Sequence, residues 1–97
     1  DIAARQMKGY GGLLSFTVRG DQAATFRFLD ALRLICISPS LGGVESLALH
    51  PAAMAYPDCE LEERLRLGIT DNLVRLALGI EDTQDLIADL DQALRSV

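Results

Sequence analysis

Ser38-Pro39-Ser40-Leu41-Gly42-Gly43-Val44-Glu45-Ser46 separates two apolar runs, Leu32-Arg33-Leu34-Ile35-Cys36-Ile37 before it and Leu47-Ala48-Leu49-His50-Pro51 after it. Pro39 fixes one φ angle, and the glycine pair permits left-handed backbone or close approach of another chain segment. One reading is a tight connection between two strands, because Gly and Pro mark turns far more often than sites. The other is a specially shaped loop on a rigid scaffold, the usual seat of function. Both place short strands at residues 36–38 and 46–49.

Upstream, Leu14, Phe16 and Val18 alternate with Leu13, Ser15 and Thr17, which predicts a half-buried strand over residues 11–18. Arg19-Gly20-Asp21 is a turn with Asp21 as N-cap of a helix over 22–35. Ala24, Phe28, Ala31, Leu32 and Ile35 share one face of that helix, and Phe26 and Leu29 widen it. Downstream, residues 51–56 form a helical turn opened by Pro51, and residues 60–67 a short charged helix closed by Gly68. Residues 72–78 are the last strand, with Leu73, Arg75 and Ala77 on one face and Val74, Leu76 and Leu78 on the other. Asp82 caps a final helix whose stripe is Leu86, Leu90 and Leu94, supported by Ile87, Ala93 and Val97. The order strand, helix, strand, strand, helix, strand, helix predicts an α+β fold, a small antiparallel sheet covered on one face by helices.

At 97 residues the chain is one domain, burying about 60–70% of its unfolded surface. The net charge of −5 offers no basic stripe for nucleic acid. No apolar run is long enough to span a bilayer, so the chain reads as soluble. Cys36 and Cys59 make no disulfide scaffold; Cys36 reads as a buried small hydrophobe and Cys59 as exposed. Without a signal peptide the expected location is cytoplasmic. The start at Asp1 without an initiator Met, and Lys8 as the single lysine, suggest a fragment of a longer protein.

Arg75 is the most informative residue. A guanidinium in the middle of an apolar strand must find a partner. Its planar fork suits a carboxylate held bidentately, and an ion pair with Glu81, Asp82 or Glu45 serves equally well on these grounds. His50 is the only histidine, with no second His and no Cys pair at metal spacing, so no metal is expected and it reads as a strand-end residue. Glu45 has the chemistry of a base, but an acid after a Gly-Gly turn is more often a capping group. No nucleophile elbow surrounds Ser15, Ser38, Ser40 or Ser46, and Gly11-Gly12 precedes a strand rather than a helix, the wrong context for a phosphate cradle.

Ser40-Leu41-Gly42-Gly43-Val44-Glu45-Ser46-Leu47-Ala48-Leu49-His50-Pro51-Ala52-Ala53-Met54 resembles the C-terminal domain of the cystathionine γ-synthase, cystathionine γ-lyase and methionine γ-lyase family, the pyridoxal-phosphate-dependent enzymes of Cys/Met metabolism. The resemblance continues through Glu62-Glu63-Arg64, through Leu67 to Asp82 and on through Asp85-Leu86-Ile87-Ala88-Asp89-Leu90; upstream it includes Gly11-Gly12-Leu13-Leu14-Ser15-Phe16. It covers nearly the whole chain. It implies residues 1–10 as a lead-in from a large domain and 11–97 as the C-terminal small domain. It also implies that Arg75 binds the substrate's α-carboxylate with Ser40 beside it. The cofactor, pyridoxal 5'-phosphate, is then bound mainly by the large domain and acts as electron sink for carbanion chemistry. The family's Schiff-base lysine belongs to that large domain and Lys8 lies in the wrong context to replace it, so the chain alone holds no catalytic or cofactor-binding residue and is expected to be inactive. The partners implied are an amino-acid substrate, the chain's own large domain and, at full length, a homotetramer. Position 39 is Pro, where γ-lyases often carry an acid or another residue that touches the substrate side chain; Pro39-Ser40 looks more like some cystathionine γ-synthases. A rival from another class is a stand-alone ferredoxin-like module that binds amino acids without catalysis. An exposed apolar patch where a large domain would dock separates the two.

Overall fold

The computed structural model describes residues 2–6, 8–9 and 11–97. The elements run α1 (Ile2–Gln6), β1 (Leu13–Thr17), α2 (Gln22–Ala31), β2 (Cys36–Ile37), β3 (Leu47–Leu49), α3 (Pro51–Met54), α4 (Leu61–Arg66), β4 (Leu73–Ala77) and α5 (Thr83–Leu94). The architecture is α+β. The lead-in over 1–10, which includes residues 1, 7 and 10 outside the described ones, carries α1, an element that no periodicity in so short a segment revealed.

The strands lie in the order β1-β4-β3-β2. β4 is central, antiparallel to β1 on one side and to β3 on the other, with Arg75 opposite both Ser15 and Leu49. β2 and β3 pair in parallel, Cys36 opposite Leu47 and Ile37 opposite Ala48. The sheet is therefore mixed, a correction to the expected antiparallel one. Its cause lies at the two strand starts. The Asp89 carboxylate accepts from the N–H groups of Arg33, Leu34 and Ile35, which sets where β2 begins. Ser46 is bound to Glu81 at the far end of β4, which sets where β3 begins. Both starts fall at the same end of the sheet, and Cys36 N donates to Ser46 O across 3.2 Å. Residues 38–46 are thus a crossover and not a hairpin. The ferredoxin-like reading needed a hairpin between these consecutive strands, so it loses its ground.

Asp89 also explains why α2 stops early. The expected helix to residue 35 ends at Ala31, because Leu32 turns extended (ψ 135°) and the next three N–H groups point at the carboxylate instead of at helix carbonyls. Asp21 caps the other end through Ala24 N at 2.9 Å, as the sequence predicts.

The core lies between one sheet face and the helix pair α2/α5: Val18, Phe28, Leu29, Ile35, Ala48, Val74, Leu76, Leu86 and Ala93, with Phe16 edge-on to Phe28. Alternation in β4 sends Leu73, Arg75 and Ala77 to the opposite face. Of the expected α5 stripe, Leu86 is buried and Leu90 packs against the core, but Leu94 is about half exposed. Cys36 is exposed on the edge strand and Cys59 is half-buried, the reverse of expectation.

Candidate functional site

Arg75 stands in the middle of the central strand, half-buried, on the face away from α2 and α5. The crossover folds toward it. Arg75 Nη2 donates to Pro39 O (3.1 Å) and Ser40 O (3.2 Å). Its Nε is buried and has no hydrogen-bond partner among the described residues. An unsatisfied buried donor on a charged group costs about 1–3 kcal/mol or more, so it needs a reason.

None of the three carboxylates that the sequence offered as ion-pair partners pairs with Arg75 among the described residues. Glu81 accepts from Ser46 N and Ser46 Oγ, each at 2.8 Å. Asp82 caps α5, accepting from Gln84 N at 2.9 Å. Glu45 lies exposed in the loop. The guanidinium is therefore held by backbone carbonyls, neutral acceptors that leave its charge uncompensated.

Ser40 is exposed, and its N–H points to Ser38 Oγ at 3.3 Å. The structure brings Ser40 and Arg75 together through the Ser40 carbonyl; the Ser40 hydroxyl engages no protein group among the described residues. Gly42 has φ +81°, so one glycine of the pair serves the loop's left-handed bend. At the loop's exit, Gly79 N donates to Ser46 Oγ (2.8 Å) and Ile80 N to Val44 O (2.8 Å). A Cβ on Gly79 would clash with the backbone oxygen of Val44.

His50 is buried and spoken for. Its Nδ1 accepts from Ala53 N (3.1 Å), which puts the proton on Nε2, and Nε2 donates to Asp71 O (2.7 Å). The Phe26 ring packs edge-on to it at 4.8 Å. It caps α3 and ties β3 to the turn before β4, a strand-end role. Arg64, also buried, reaches the same turn through Ile69 O (2.8 Å) and Asp71 Oδ1 (3.0 Å). Sequence reasoning missed these ties. The Asp89 tie left a signal: an acid between Leu86 and Ala93, on the apolar face of a helix.

Two carboxyls sit below their usual range. Glu81 is lowered first by the Ser46 backbone N–H and then by the Ser46 hydroxyl. For Asp89, burial acts upward, but the N–H groups of Arg33, Ile35 and Leu34 and the Gln92 amide outweigh it, and the net shift is down.

A family profile described as Cys/Met metabolism PLP-dependent enzyme matches residues 1–95. The chain belongs to this family. Cystathionine gamma-synthase 1, chloroplastic, of Arabidopsis thaliana is 48% identical over 97 residues, 100% of this chain and 17% of that protein. L-methionine gamma-lyase of Pseudomonas deceptionensis is 50% identical over 96 residues, 99% of this chain and 24% of that protein. The crystal structure of a cystathionine gamma synthase from Xanthomonas oryzae pv. oryzae in complex with cystathionine superposes with a TM-score of 0.85 at 46% identity, covering 98% of this chain and 24% of that one. The chain spans about a quarter or less of the length of these members of the Cys/Met metabolism family. Among the described residues nothing makes a seat for the family's pyridoxal phosphate: Lys8, the one lysine, is exposed beyond α1.

Proposed function

We propose that this chain is the substrate-carboxylate-binding C-terminal domain of a pyridoxal-phosphate-dependent transsulfuration enzyme, residues 11–97 forming the domain and 1–10 leading in from a large one. Arg75 receives the α-carboxylate of an amino acid and Ser40 adds a hydrogen bond beside it. The observation that carries this reading is the Arg75 guanidinium, fixed by two loop carbonyls yet without a carboxylate partner among the described residues. A fork already oriented loses little freedom on binding, so more of the interaction energy goes into affinity.

The reaction is γ-replacement or γ-elimination on homoserine esters, cystathionine or methionine, in keeping with the names of the relatives. Pyridoxal 5'-phosphate is bound mainly by residues outside this chain, so the chain alone is inactive. The complete enzyme is a cytoplasmic homotetramer. The exposed apolar residues support the reading as a domain of a larger protein. Leu14, Leu78, Ile87 and Leu94 line one groove, of about 490 Å³; Leu13 and Leu41 line a second that shares Leu78 with it. Ile80 is 81% exposed and Val44 66%. A chain working alone rarely leaves so much apolar surface open.

In the complete enzyme, Arg75→Ala is expected to lower kcat/KM by a factor equivalent to about 2–5 kcal/mol, the cost of losing a desolvated charged contact. Steady-state kinetics with cystathionine and with L-methionine measure this. An unchanged kcat/KM with both would refute the reading.

A further inference from the structure

We propose that Glu81 is a positioning residue for the carboxylate site. It anchors the exit of the 38–46 loop to the end of β4 and thereby sets where the loop's entrance meets Arg75. The inference rests on the carboxylate-binding reading above and deepens it.

The loop stands on two legs. The first ends on Arg75, through the carbonyls of Pro39 and Ser40. The second ends on the segment directly after β4. There Glu81 Oε2 accepts from Ser46 N and Oε1 from Ser46 Oγ, each at 2.8 Å. The same Ser46 Oγ accepts from Gly79 N at 2.8 Å, so its proton and a lone pair are both used. Val44 O accepts from Ile80 N at 2.8 Å. Gly79 has no room for a Cβ, so the loop and the segment after β4 are in backbone contact there. Ser46 is fully buried.

Both legs therefore stand on one short stretch of chain, β4 and the four residues after it. The distance between the residue that grips the substrate and the residue that grips the loop is set by β4 and the four residues that follow it. A carboxylate suits this position because it takes the N–H and the O–H of one residue at once, through charge-assisted bonds, and fixes that residue's position and rotamer together. The donors that do so also lower the Glu81 carboxyl, so it stays ionised. Releasing this leg frees the loop to shift, and the carbonyls that aim the Arg75 fork shift with it. A displacement of about 1 Å at an aligned group is enough to weaken recognition sharply.

The test uses the complete enzyme and a pair of probes, L-methionine and its amide, which lacks the carboxylate. Calorimetric titration measures both affinities in wild type, Arg75→Ala, Glu81→Ala, Glu81→Gln and Ser46→Ala, with thermal unfolding of each. Glu81→Ala is expected to weaken L-methionine binding by roughly tenfold and leave the amide unchanged. Glu81→Gln, which keeps one acceptor oxygen, should fall between it and wild type, and Ser46→Ala should reproduce part of the loss. A loss that strikes acid and amide equally marks a merely structural residue and overturns the proposal, as does unchanged discrimination. If Glu81→Ala does not fold, Glu81→Gln and Ser46→Ala decide by the same criterion. Arg75→Ala separates this proposal from the reading beneath it. Intact acid-over-amide preference in Arg75→Ala brings down the carboxylate site itself. Preference lost in Arg75→Ala but kept in the Glu81 variants brings down Glu81 alone.

Discussion

Arg75 and Asp89 show opposite uses of charge. Arg75 carries a full charge against two neutral carbonyls and keeps a buried donor open. Asp89, 5% exposed, is saturated: Oδ1 accepts from Arg33 N at 2.8 Å and Oδ2 from Leu34 N at 2.9 Å and Ile35 N at 2.8 Å. A saturated group belongs to structure, and an open donor belongs to binding. Two substitutions separate these roles. Arg75→Lys keeps the charge but loses the planar fork; it should leave the urea midpoint of unfolding nearly unchanged while costing the enzyme about 1.4 kcal/mol or more in kcat/KM, a factor of ten. Asp89→Asn should do the reverse. Its amide nitrogen faces N–H groups that need an acceptor, so unfolding free energy should drop by about 2–3 kcal/mol, read from denaturant titration. Arg75 was legible as a candidate because a lone guanidinium in an apolar strand breaks the pattern. Its release from ion pairing was not, because whether Glu81 faces Arg75 or Ser46 depends on where the crossover lands.

The crossover is the element in which sequence and fold part company. Pro39 and the Gly42-Gly43 pair announce a shaped connection, but hydrophobic alternation is the same in parallel and antiparallel strands, so the direction of β3 against β2 left no trace in the residues. Boundaries suffered for a related reason: α2 looks helical to residue 35, and only a carboxylate that is more than fifty positions away in sequence captures its last N–H groups. From β1 onward the strand and helix order, and the caps at Asp21 and Asp82, depend on neighbours only and were readable. The glycines of this region sort by the same logic. Gly79→Ala drives a Cβ into Val44 O, a backbone atom, so the loop exit must move; a stability loss of about 2 kcal/mol or more and weaker carboxylate binding are expected together. Gly43→Ala meets nothing within 4 Å and involves no positive φ; its thermal midpoint should stay within about 0.5 kcal/mol of the parent in free-energy terms. If Gly43→Ala proved the more disruptive of the two, the close approach at residue 79 would not be what holds the loop.

Across the molecule two electrostatic effects compete as pH falls, and they predict different curves. The chain carries a formal charge of −5 at pH 7 and reaches neutrality near pH 4.6. If self-repulsion governed, acidification would stabilise the fold down to about that pH. Site-specific binding acts the other way. Asp89 and Glu81 both have carboxyls lowered in the folded state, so in the acid range the unfolded chain takes up their protons first. Stability from such groups is fully present above the ordinary carboxylate value, about 4, and is lost as pH falls from there through the lowered folded values. Diffuse repulsion among surface carboxylates is screened by salt, whereas the three N–H bonds of buried Asp89 are not. The local term should therefore win at physiological ionic strength. The expected curve of unfolding free energy is nearly flat from pH 7 to about 5 and falls steeply below about 4. Asp89→Asn should start lower and flatten most of the acid limb, because its side chain has no proton to gain. Denaturant midpoints of both proteins, at half-unit steps between pH 7 and 3, make the comparison. A maximum near the isoelectric point, or an acid limb as steep in the variant as in the parent, would show that net charge and not the Asp89 seat governs the acid stability of this domain.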